Sequence, residues 1–174
     1  MKFKVGQVLN SRGTSFFMKL VRLRNKIRWG LDGFSHSSII GEVLDDDVIV
    51  YEALSKGFVK NKYEKWWLEA RIEEGTYVLG TAKAKLTKVK THCEKYLGTP
   101  YGWTDIWAIF KYWAFGRNAL VDTDTRALIC SEAVCRILYD ASNKKIDFEE
   151  EWKVPYDEIE PMHIYLSKQI TWNT

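Results

Sequence analysis

The strongest hydrophobic pattern in the chain begins at Cys130 and has the period of an α-helix. Apolar residues recur three, four, seven and eight positions further on, at Ala133, Val134, Ile137 and Leu138. This spacing predicts a helix with one apolar face that begins at Cys130. Free backbone N–H groups and the positive end of the helix dipole favour a thiolate at that position, and the same groups could bind an oxyanion. Cys130 is therefore a candidate nucleophile.

A β-hairpin is predicted in the first third of the chain. Two segments rich in apolar and β-branched residues, 36–43 and 48–54, flank a short acidic turn, and such a connection favours antiparallel pairing. The hairpin brings His36, at the start of the first strand, close to Glu52 on the second. For a turn centred near residue 46, the direct partner of His36 lies near residue 56. Glu52 is therefore expected diagonal to His36 unless a bulge shifts the register.

The other elements follow from weaker patterns. We expect strands at 3–9, 57–60, 76–80 and 161–166, helices at 14–29, 61–72, 83–97 and 103–113, and a loop at 116–126. The sequence contains no internal repeat, low-complexity tract or linker. This mixture of elements predicts one α+β domain over residues 1–174.

Composition narrows the class of protein. With 46% hydrophobic and 28% charged residues, the chain resembles a soluble globular domain. A net charge of +3 is too small to predict a nucleic-acid partner. The N-terminal segment lacks the apolar centre of a signal peptide, and Asp105 and Lys111 interrupt the longest apolar run, which is too short to span a bilayer. We therefore expect a cytoplasmic or virion-associated protein without a transmembrane segment.

A basic stretch at residues 19–28 belongs to the first predicted helix. Its cationic residues are Lys19, Arg22, Arg24, Lys26 and Arg28. A charge run of this kind usually forms a solvated helix face, which is the interpretation we favour. The alternative is a docking surface for an anionic polymer or for peripheral contact with a membrane.

A catalytic base for Cys130 could come from three histidines, His36, His92 and His163. His36 is the favoured candidate because it opens a strand after a glycine-containing loop, where an imidazole can face a cleft; a structural role is the alternative. Glu52 occupies an otherwise apolar strand position, where an unpaired buried carboxylate would be costly. We expect it to pair with His36 and orient the ring, unless it faces outward from a sheet edge.

The cysteine spacing argues against a metal site and against a disulfide framework. Cys130 and Cys135 are five positions apart, so on a helix their thiols diverge by about 140°. Cys93 beside His92 is a poor chelating pair, and the paired short spacings typical of zinc sites do not occur in the sequence. The sequence also lacks a glycine-rich phosphate loop. We expect no metal and no cofactor, with Cys93 and Cys135 as small core residues.

Several short motifs occur in an order that resembles a known family. They are Gly6-Gln7-Val8, Ser35-His36-Ser37-Ser38-Ile39, Val50-Tyr51-Glu52-Ala53, Tyr101-Gly102-Trp103, Cys130-Ser131-Glu132 and Pro155-Tyr156-Asp157. Together they resemble the circularly permuted NlpC-like branch of the papain-like cysteine peptidases, of the YiiX type, which is related to lecithin:retinol acyltransferase-like proteins. In that branch the histidine strand precedes the cysteine helix, as it does here, where Cys130 follows His36 by 94 positions.

The resemblance implies a papain-like α+β fold in which a small antiparallel sheet packs against the helix that begins at Cys130. It also implies a role for each candidate residue. Cys130 would be the nucleophile, His36 the general base and Glu52 the residue that orients His36. Tyr101 and Ser35 would contact the substrate.

Three functions are compatible with these observations. The first, which we expect, is a cysteine peptidase or amidase that forms a thioester acyl-enzyme, most plausibly with amide bonds of peptidoglycan peptides. The second is a lipid acyltransferase or esterase of the same fold, with residues 19–28 against a membrane surface. The third is a non-enzymatic structural or binding module of a viral particle, which predicts an unreactive thiol.

Overall fold

The computed structural model describes residues 1–103 and 127–173. Within these ranges the protein is a mixed α+β structure with a six-stranded antiparallel sheet. Its strands are β1 (Val8–Ser11), β2 (His36–Val43), β3 (Asp47–Leu54), β4 (Gly57–Glu64), β5 (Tyr77–Ala82) and β6 (Ile170–Asn173). They lie side by side in the order β4-β3-β2-β1-β5-β6.

Six α-helices accompany the sheet in the described ranges. They are α1 (Phe16–Trp29), α2 (Lys65–Glu73), α3 (Val89–Glu94), α4 (Cys130–Ala141), α5 (Phe148–Trp152) and α6 (Pro161–Leu166). The start of α1 is capped by the Ser15 hydroxyl, which accepts a hydrogen bond from the Met18 N–H, and α1 ends at Gly30 with a φ of 70°. The start of α4 at Cys130 confirms the prediction from the apolar period.

Apolar side chains cover both faces of the sheet. Because successive strand residues point to opposite faces, Val8 packs in the cluster that contains α4, whereas Leu9 packs in the cluster that contains α2. The helix α4 packs against β2 and β3, and its apolar stripe enters the core with Ile137 and Leu138 fully buried. Each such side chain contributes about 1.5–3 kcal/mol of burial free energy. The stripe predicted from the sequence therefore attaches Cys130 to the sheet.

The strands β2 and β3 form the predicted hairpin, with bounds that agree with the prediction to within one residue. A bulge at Gly41 shifts the register by one residue. Beyond the bulge, Ser38 lies opposite Glu52, which leaves Glu52 diagonal to His36. Extended to the start of β2, this register places His36 opposite Leu54 and not near residue 56, because a bulge of the kind that the prediction named as its exception is present.

The strand β4 is longer than predicted. The helix prediction for residues 61–72 is wrong over 61–64, which continue the strand and pair with β3. Asn61 and Tyr63 are half-buried and alternate with exposed charged residues, which is the period of a strand rather than of a helix. The helix α2 therefore begins only at Lys65.

The strand predicted at residues 161–166 is wrong, because this segment forms α6. Pro161 occupies the first turn, where its missing N–H costs no hydrogen bond. The Glu160 N–H donates to Nδ1 of His163 at 2.9 Å and so caps the helix. The prediction failed because the pattern of a short apolar segment fits a strand or a helix equally well. The strand that pairs with β5 is β6, which follows α6 in the chain.

Backbone turns shorten two further predicted elements. The strand expected at 3–9 begins only at Val8, because Gly6, with a φ of 86°, turns the chain. The helix expected at 83–97 is confined to α3, which follows Lys88 with a φ of 51°. A residue in the left-handed region cannot belong to a right-handed helix.

The helix expected at 103–113 lies, apart from Trp103, outside the described residues. The loop expected at 116–126 also lies outside them. A single domain over residues 1–174 stays a prediction.

Candidate active site

Cys130 is the first residue of α4 and is only 6% exposed. Burial by itself raises the pKa of a thiol. Here the charge of His36, a hydrogen bond with its ring and the backbone N–H groups of Ser37 and Ser131 outweigh burial and lower the pKa of Cys130 below its ordinary value. These contacts favour a thiolate at the helix start.

The imidazole of His36 connects Cys130 with Glu52. Its Nε2 lies 2.8 Å from Oε2 of Glu52, which leaves Nδ1 for the hydrogen bond with Cys130. Burial by itself lowers the pKa of an imidazole, but the charges of Cys130 and Glu52 and the hydrogen bonds to both raise the pKa of His36 to about 10. The same contacts therefore favour an imidazolium beside a thiolate.

Three hydrogen-bond donors hold the carboxylate of Glu52. Oε2 contacts His36, while Oε1 accepts hydrogen bonds from Asn61 Nδ2 at 2.9 Å and from Tyr63 Oη at 2.7 Å. Burial raises the pKa of a carboxyl, but His36 and these two donors outweigh it and lower the pKa of Glu52. The alternative of an outward-facing edge residue is wrong, because Glu52 is 6% exposed and β3 lies between β2 and β4.

Sequence reasoning missed Asn61 and Tyr63 as members of the site. Both residues follow the strand period of β4, and their positions lie on the same face of the sheet as Glu52 of β3. The half-polar alternation of residues 57–64 was the signal that could have found them. The aromatic residues of α2 obscured this signal, because together with Tyr63 they give residues 61–72 the apolar spacing of a helix.

The two residues expected to contact substrate occupy different surroundings. Tyr101 forms an isolated bridge with Leu128, two residues before Cys130, and burial together with the charge of Cys130 raises the pKa of its hydroxyl. Ser35 is buried beside His36 in the chain, and its hydroxyl accepts a hydrogen bond from the Gly13 N–H at 2.9 Å. A substrate contact through either residue stays a prediction.

The remaining histidines and cysteines belong to other parts of the structure. Nδ1 of His92 lies 3.7 Å from Oδ2 of Asp140, and His163 is buried at the start of α6. Cys93 and Cys135 are fully buried, and burial raises the pKa of each thiol above its ordinary value. The prediction that both cysteines are core residues is confirmed.

The basic stretch 19–28 is only partly a solvated face. Its arginines form ion pairs within the protein. Arg24 and Arg28 contact Glu160 at 2.6 and 2.9 Å and thereby connect α1 with α6. Arg22 donates from Nε to Asp32 at 2.9 Å.

The outward face of α1 combines lysines with apolar side chains. Lys19 and Lys26 are exposed. Leu23, which lies between them in the sequence, is 55% exposed, and Ile27, which follows Lys26, is 78% exposed. In residues 1–103 and 127–173, no helix combines the length and the apolar character needed to cross a bilayer.

A cavity of about 540 Å³ adjoins the histidine and the glutamate. Its wall contains His36 and Glu52, aromatic residues of β4, α2 and β5, and the connection between β1 and α1. Cys130 is not among the described residues that line it. The volume is in the range of cavities that bind one small molecule.

No group of three or more His, Cys, Asp or Glu side chains in the described part of the chain is arranged to hold a metal ion. The three cysteines are free thiols. The hydrogen bonds that connect Cys130, His36 and Glu52 bring a thiol, an imidazole and a carboxylate together, and these three groups are able to carry out acyl transfer through a thioester.

No family model, curated protein or solved structure was found to match this chain.

Proposed function

We propose that this protein is a cysteine hydrolase with a permuted papain-like fold that cleaves an amide bond. One observation carries the proposal, namely the buried hydrogen-bonded chain of Cys130, His36 and Glu52. The surroundings of each member favour the charge that nucleophilic catalysis needs: thiolate, imidazolium and carboxylate. The order of the histidine strand and the cysteine helix, and the packing of α4 on the sheet, support the papain-like assignment.

In the first half of the reaction, Sγ of Cys130 attacks the carbonyl carbon and its electron pair forms the carbon–sulfur bond. The carbonyl oxygen becomes an oxyanion. The N–H of Cys130, which has no acceptor within the helix because it lies in the first turn, would donate to that oxyanion. His36 then gives a proton to the leaving nitrogen, and the carbon–nitrogen bond breaks.

In the second half, water attacks the thioester and loses a proton to His36. The carbon–sulfur bond breaks, the carboxylic acid leaves, and the thiolate–imidazolium pair forms again. Glu52 keeps the ring oriented and compensates its charge in both halves. An acyl acceptor that entered in place of water would give acyl transfer through the same intermediate.

The substrate class that we propose is a peptide amide of the cell wall. The exposed Lys19 and Lys26 of the basic stretch 19–28 suit contact with an anionic polymer. Digestion of muropeptides by the native protein, with Cys130→Ala as control, tests this assignment. Release of a new amino group by the native protein alone is the expected result. Absence of cleavage together with hydrolysis of acyl esters would contradict it.

The reactivity of Cys130 tests the mechanism itself. We expect iodoacetamide to label Cys130 at pH values well below the ordinary thiol pKa of about 8.5, because the surroundings lower the pKa of Cys130. Cys93 and Cys135 are fully buried and serve as internal controls, since burial raises the pKa of both thiols. Mass spectrometry of the labelled peptides over a pH series measures all three.

Substitution of the histidine completes this experiment. His36→Ala should slow labelling of Cys130 at neutral pH by about tenfold or more, because one pKa unit changes the thiolate fraction about tenfold. His92→Ala is the matched control, since His92 contacts Asp140 instead. Labelling of Cys130 no faster than Cys93 in the native protein would contradict the proposed nucleophile.

A lipid acyltransferase or esterase is the second candidate. The observation that favours it is the outward face of α1, where exposed Leu23 and Ile27 lie beside Lys19 and Lys26. Apolar residues flanked by lysines suit peripheral contact with an anionic bilayer. Co-sedimentation with phosphatidylserine vesicles, lost in Leu23→Ser/Ile27→Ser, would favour this function over the first.

A further inference from the structure

Two lysine-rich segments meet at the C-terminal end of α4. Thr87 joins them, because its N–H and its hydroxyl both donate to the Ala141 carbonyl, at 2.8 and 3.3 Å. Gln169 joins them a second time. Its carbonyl accepts the Lys83 N–H at 2.9 Å, and its side chain forms two hydrogen bonds with the backbone of Asp147. The exposed lysines of the two segments, which we call the lysine surface, are Lys83, Lys85, Lys88, Lys144 and Lys145.

The charge of the lysine surface is not matched by nearby carboxylates. In the described part of the chain, none of its five ammonium groups has a carboxylate oxygen within 4.0 Å. Lysines close to it in the sequence are paired, since Lys90 contacts Glu42 at 2.7 Å and Lys95 lies 3.8 Å from Asp140. Five positive charges also exceed the net charge of +3 of the whole chain, so the rest of the chain is net negative. Positive potential is therefore concentrated at this surface.

The fold does not account for a lysine at position 88. Lys88 precedes α3 and has a φ of 51°, a left-handed conformation that favours glycine or asparagine. It also places a positive charge at the start of a helix, where the helix dipole is unfavourable for cations. A lysine here therefore costs stability on two counts.

The other four lysines divide into two pairs. Lys144 and Lys145 follow the last turn of α4, where the helix dipole favours cations. The Nζ of Lys144 also lies 5.9 Å from the ring centroid of Tyr139. Lys83 and Lys85 are exposed, while the residues that follow each of them pack against the core. The fold thus explains Lys144 and Lys145 but gives no reason for positive charge at positions 83 and 85.

The composition of the lysine surface indicates the kind of anion that it fits. Every large hydrophobic side chain that is exposed in the described ranges lies outside residues 83–88 and 141–145, which disfavours insertion into a bilayer. Neither segment contains an aromatic residue on which a nucleic-acid base could stack, or an arginine that could form bidentate contacts. Lysine ammonium groups are point charges that suit separate phosphates along a flexible chain.

The helix α4 separates the lysine surface from the nucleophile. Cys130 is the first of its 12 residues and Ala141 is the last, and a helix of this length spans about 18 Å. The lysine surface adjoins the Ala141 end. A polymer bound there would leave Cys130 accessible to a second group at the opposite end of the helix.

We propose that the lysine surface binds a polyol phosphate, a flexible polymer whose negative charges are phosphodiesters, and so retains the protein on an anionic cell wall. Binding consists of contacts between ammonium groups and phosphates and needs no catalytic step. The benefit for catalysis rests on the proposed hydrolase function, because retention raises the local concentration of wall peptides around Cys130.

Direct binding to poly(glycerol phosphate) tests the proposal. Calorimetric titration of the Cys130→Ala protein should show saturable binding that weakens as salt is added. Lys85→Gln/Lys144→Gln, with one change in each segment, should weaken binding by about fivefold or more at low salt. Lys56→Gln/Lys60→Gln is the matched control, since it removes two exposed lysine charges from the β3–β4 hairpin and should preserve affinity.

A glycine variant separates binding from a role in the fold. Lys88→Gly removes the charge and relieves the left-handed backbone. We expect it to bind the polymer severalfold more weakly while its Tm stays equal or rises. A lower Tm with unchanged affinity would show that Lys88 serves the fold alone, against its assignment to the lysine surface.

Several binding results would overturn the proposal. Unchanged affinity in Lys85→Gln/Lys144→Gln is one, and loss of binding confined to Lys19→Gln/Lys26→Gln, which would assign the polymer to α1, is another. Single-stranded DNA and phosphatidylserine vesicles provide two further arms. Tighter binding of either one than of poly(glycerol phosphate) would assign the lysine surface to a nucleic acid or to a bilayer instead.

Hydrolysis assays with Cys130 intact distinguish this proposal from the proposed function. Lys85→Gln/Lys144→Gln should cleave soluble muropeptides at the native rate but should cleave wall fragments that carry the polymer more slowly. Polymer binding without any hydrolysis would contradict the hydrolase and leave the lysine surface in place. Hydrolysis by a protein that does not bind the polymer would have the opposite meaning.

Discussion

The carboxylate of Glu52 is the residue on which the charge state of the site depends. It is buried, both of its oxygens accept hydrogen bonds, and its charge raises the pKa of His36. The thiolate of Cys130 in turn depends on a protonated His36. Changes at Glu52 or at its donors should therefore be measurable at the sulfur, although Asn61 and Tyr63 donate to Glu52.

Glu52→Gln should make Cys130 a weaker nucleophile. Loss of the negative charge lowers the pKa of His36. The population of the neutral thiol–imidazole pair therefore rises relative to that of the thiolate–imidazolium pair. We expect labelling of Cys130 at pH 7 to slow by about tenfold, which corresponds to about 1.4 kcal/mol. An unchanged pH profile of alkylation would show that Glu52 only fills space.

Tyr63→Phe should give a smaller effect in the same direction. It removes the 2.7 Å hydrogen bond to Oε1 of Glu52, and bonds to charged groups contribute about 1.5–3 kcal/mol. Tyr77→Phe is the matched control because Tyr77 lines the same cavity, while Glu52 accepts its hydrogen bonds from His36, Asn61 and Tyr63. Alkylation rates of Cys130 over pH should separate the two variants.

Among the elements, the β2–β3 hairpin determines where Glu52 lies. Its bulge leaves no space for a side chain, because a Cβ added at Gly41 would lie 2.2 Å from Cε2 of Tyr51. Tyr51 is fully buried and stacks on Phe58, so its ring cannot move aside easily. Glycine at position 41 therefore permits the bulge, and the bulge places Glu52 opposite Ser38.

Gly41→Ala should destabilise the protein by about 1–3 kcal/mol through overpacking. Chemical denaturation measures the loss of unfolding free energy. The Tyr51→Leu variant provides the control, since it removes the ring atoms that the new methyl group would meet. Combined with Tyr51→Leu, Gly41→Ala should be markedly less destabilising, and strict additivity would contradict the steric explanation.

At the scale of the whole molecule, a buried neutral imidazole makes folding sensitive to acid. His163 packs between Trp29 and Trp152. Burial first, and then the charges of Arg28 and Arg24, lower the pKa of His163 from 6.5 to about 4. Between these pH values the unfolded chain binds a proton that the folded protein does not. Stability should therefore fall as the pH decreases through this window.

His163→Asn tests this contribution. The Asn side-chain oxygen can accept the Glu160 N–H in place of Nδ1 but does not titrate. Wild-type stability should lose up to about 3 kcal/mol between pH 6.5 and pH 4 from this group, at about 1.4 kcal/mol per pH unit. The variant should lose less over the same range in denaturation curves. Parallel pH profiles of the two proteins would contradict the prediction.

Local periodicity was sufficient to predict much of this structure. The apolar stripe from Cys130 predicts α4, the β-branched segments around the acidic turn predict β2 and β3, and both arise from contacts between near neighbours in the chain. The chemistry of a thiol at a helix start and of an imidazole at a strand start follows from the same information. Segments with a weak or mixed period were predicted incorrectly, as at 61–64 and 161–166.

The sequence by itself determined which side chains carry chemistry and which face of each element is apolar, because side-chain type and spacing are properties of the chain. Tertiary structure alone decided that Cys130 meets His36 across 94 positions, and that Asn61 and Tyr63 close around Glu52. It also decided that a cavity with two arginines opens beside them. These features depend on strand register and on packing between distant segments, and no local period encodes either of them.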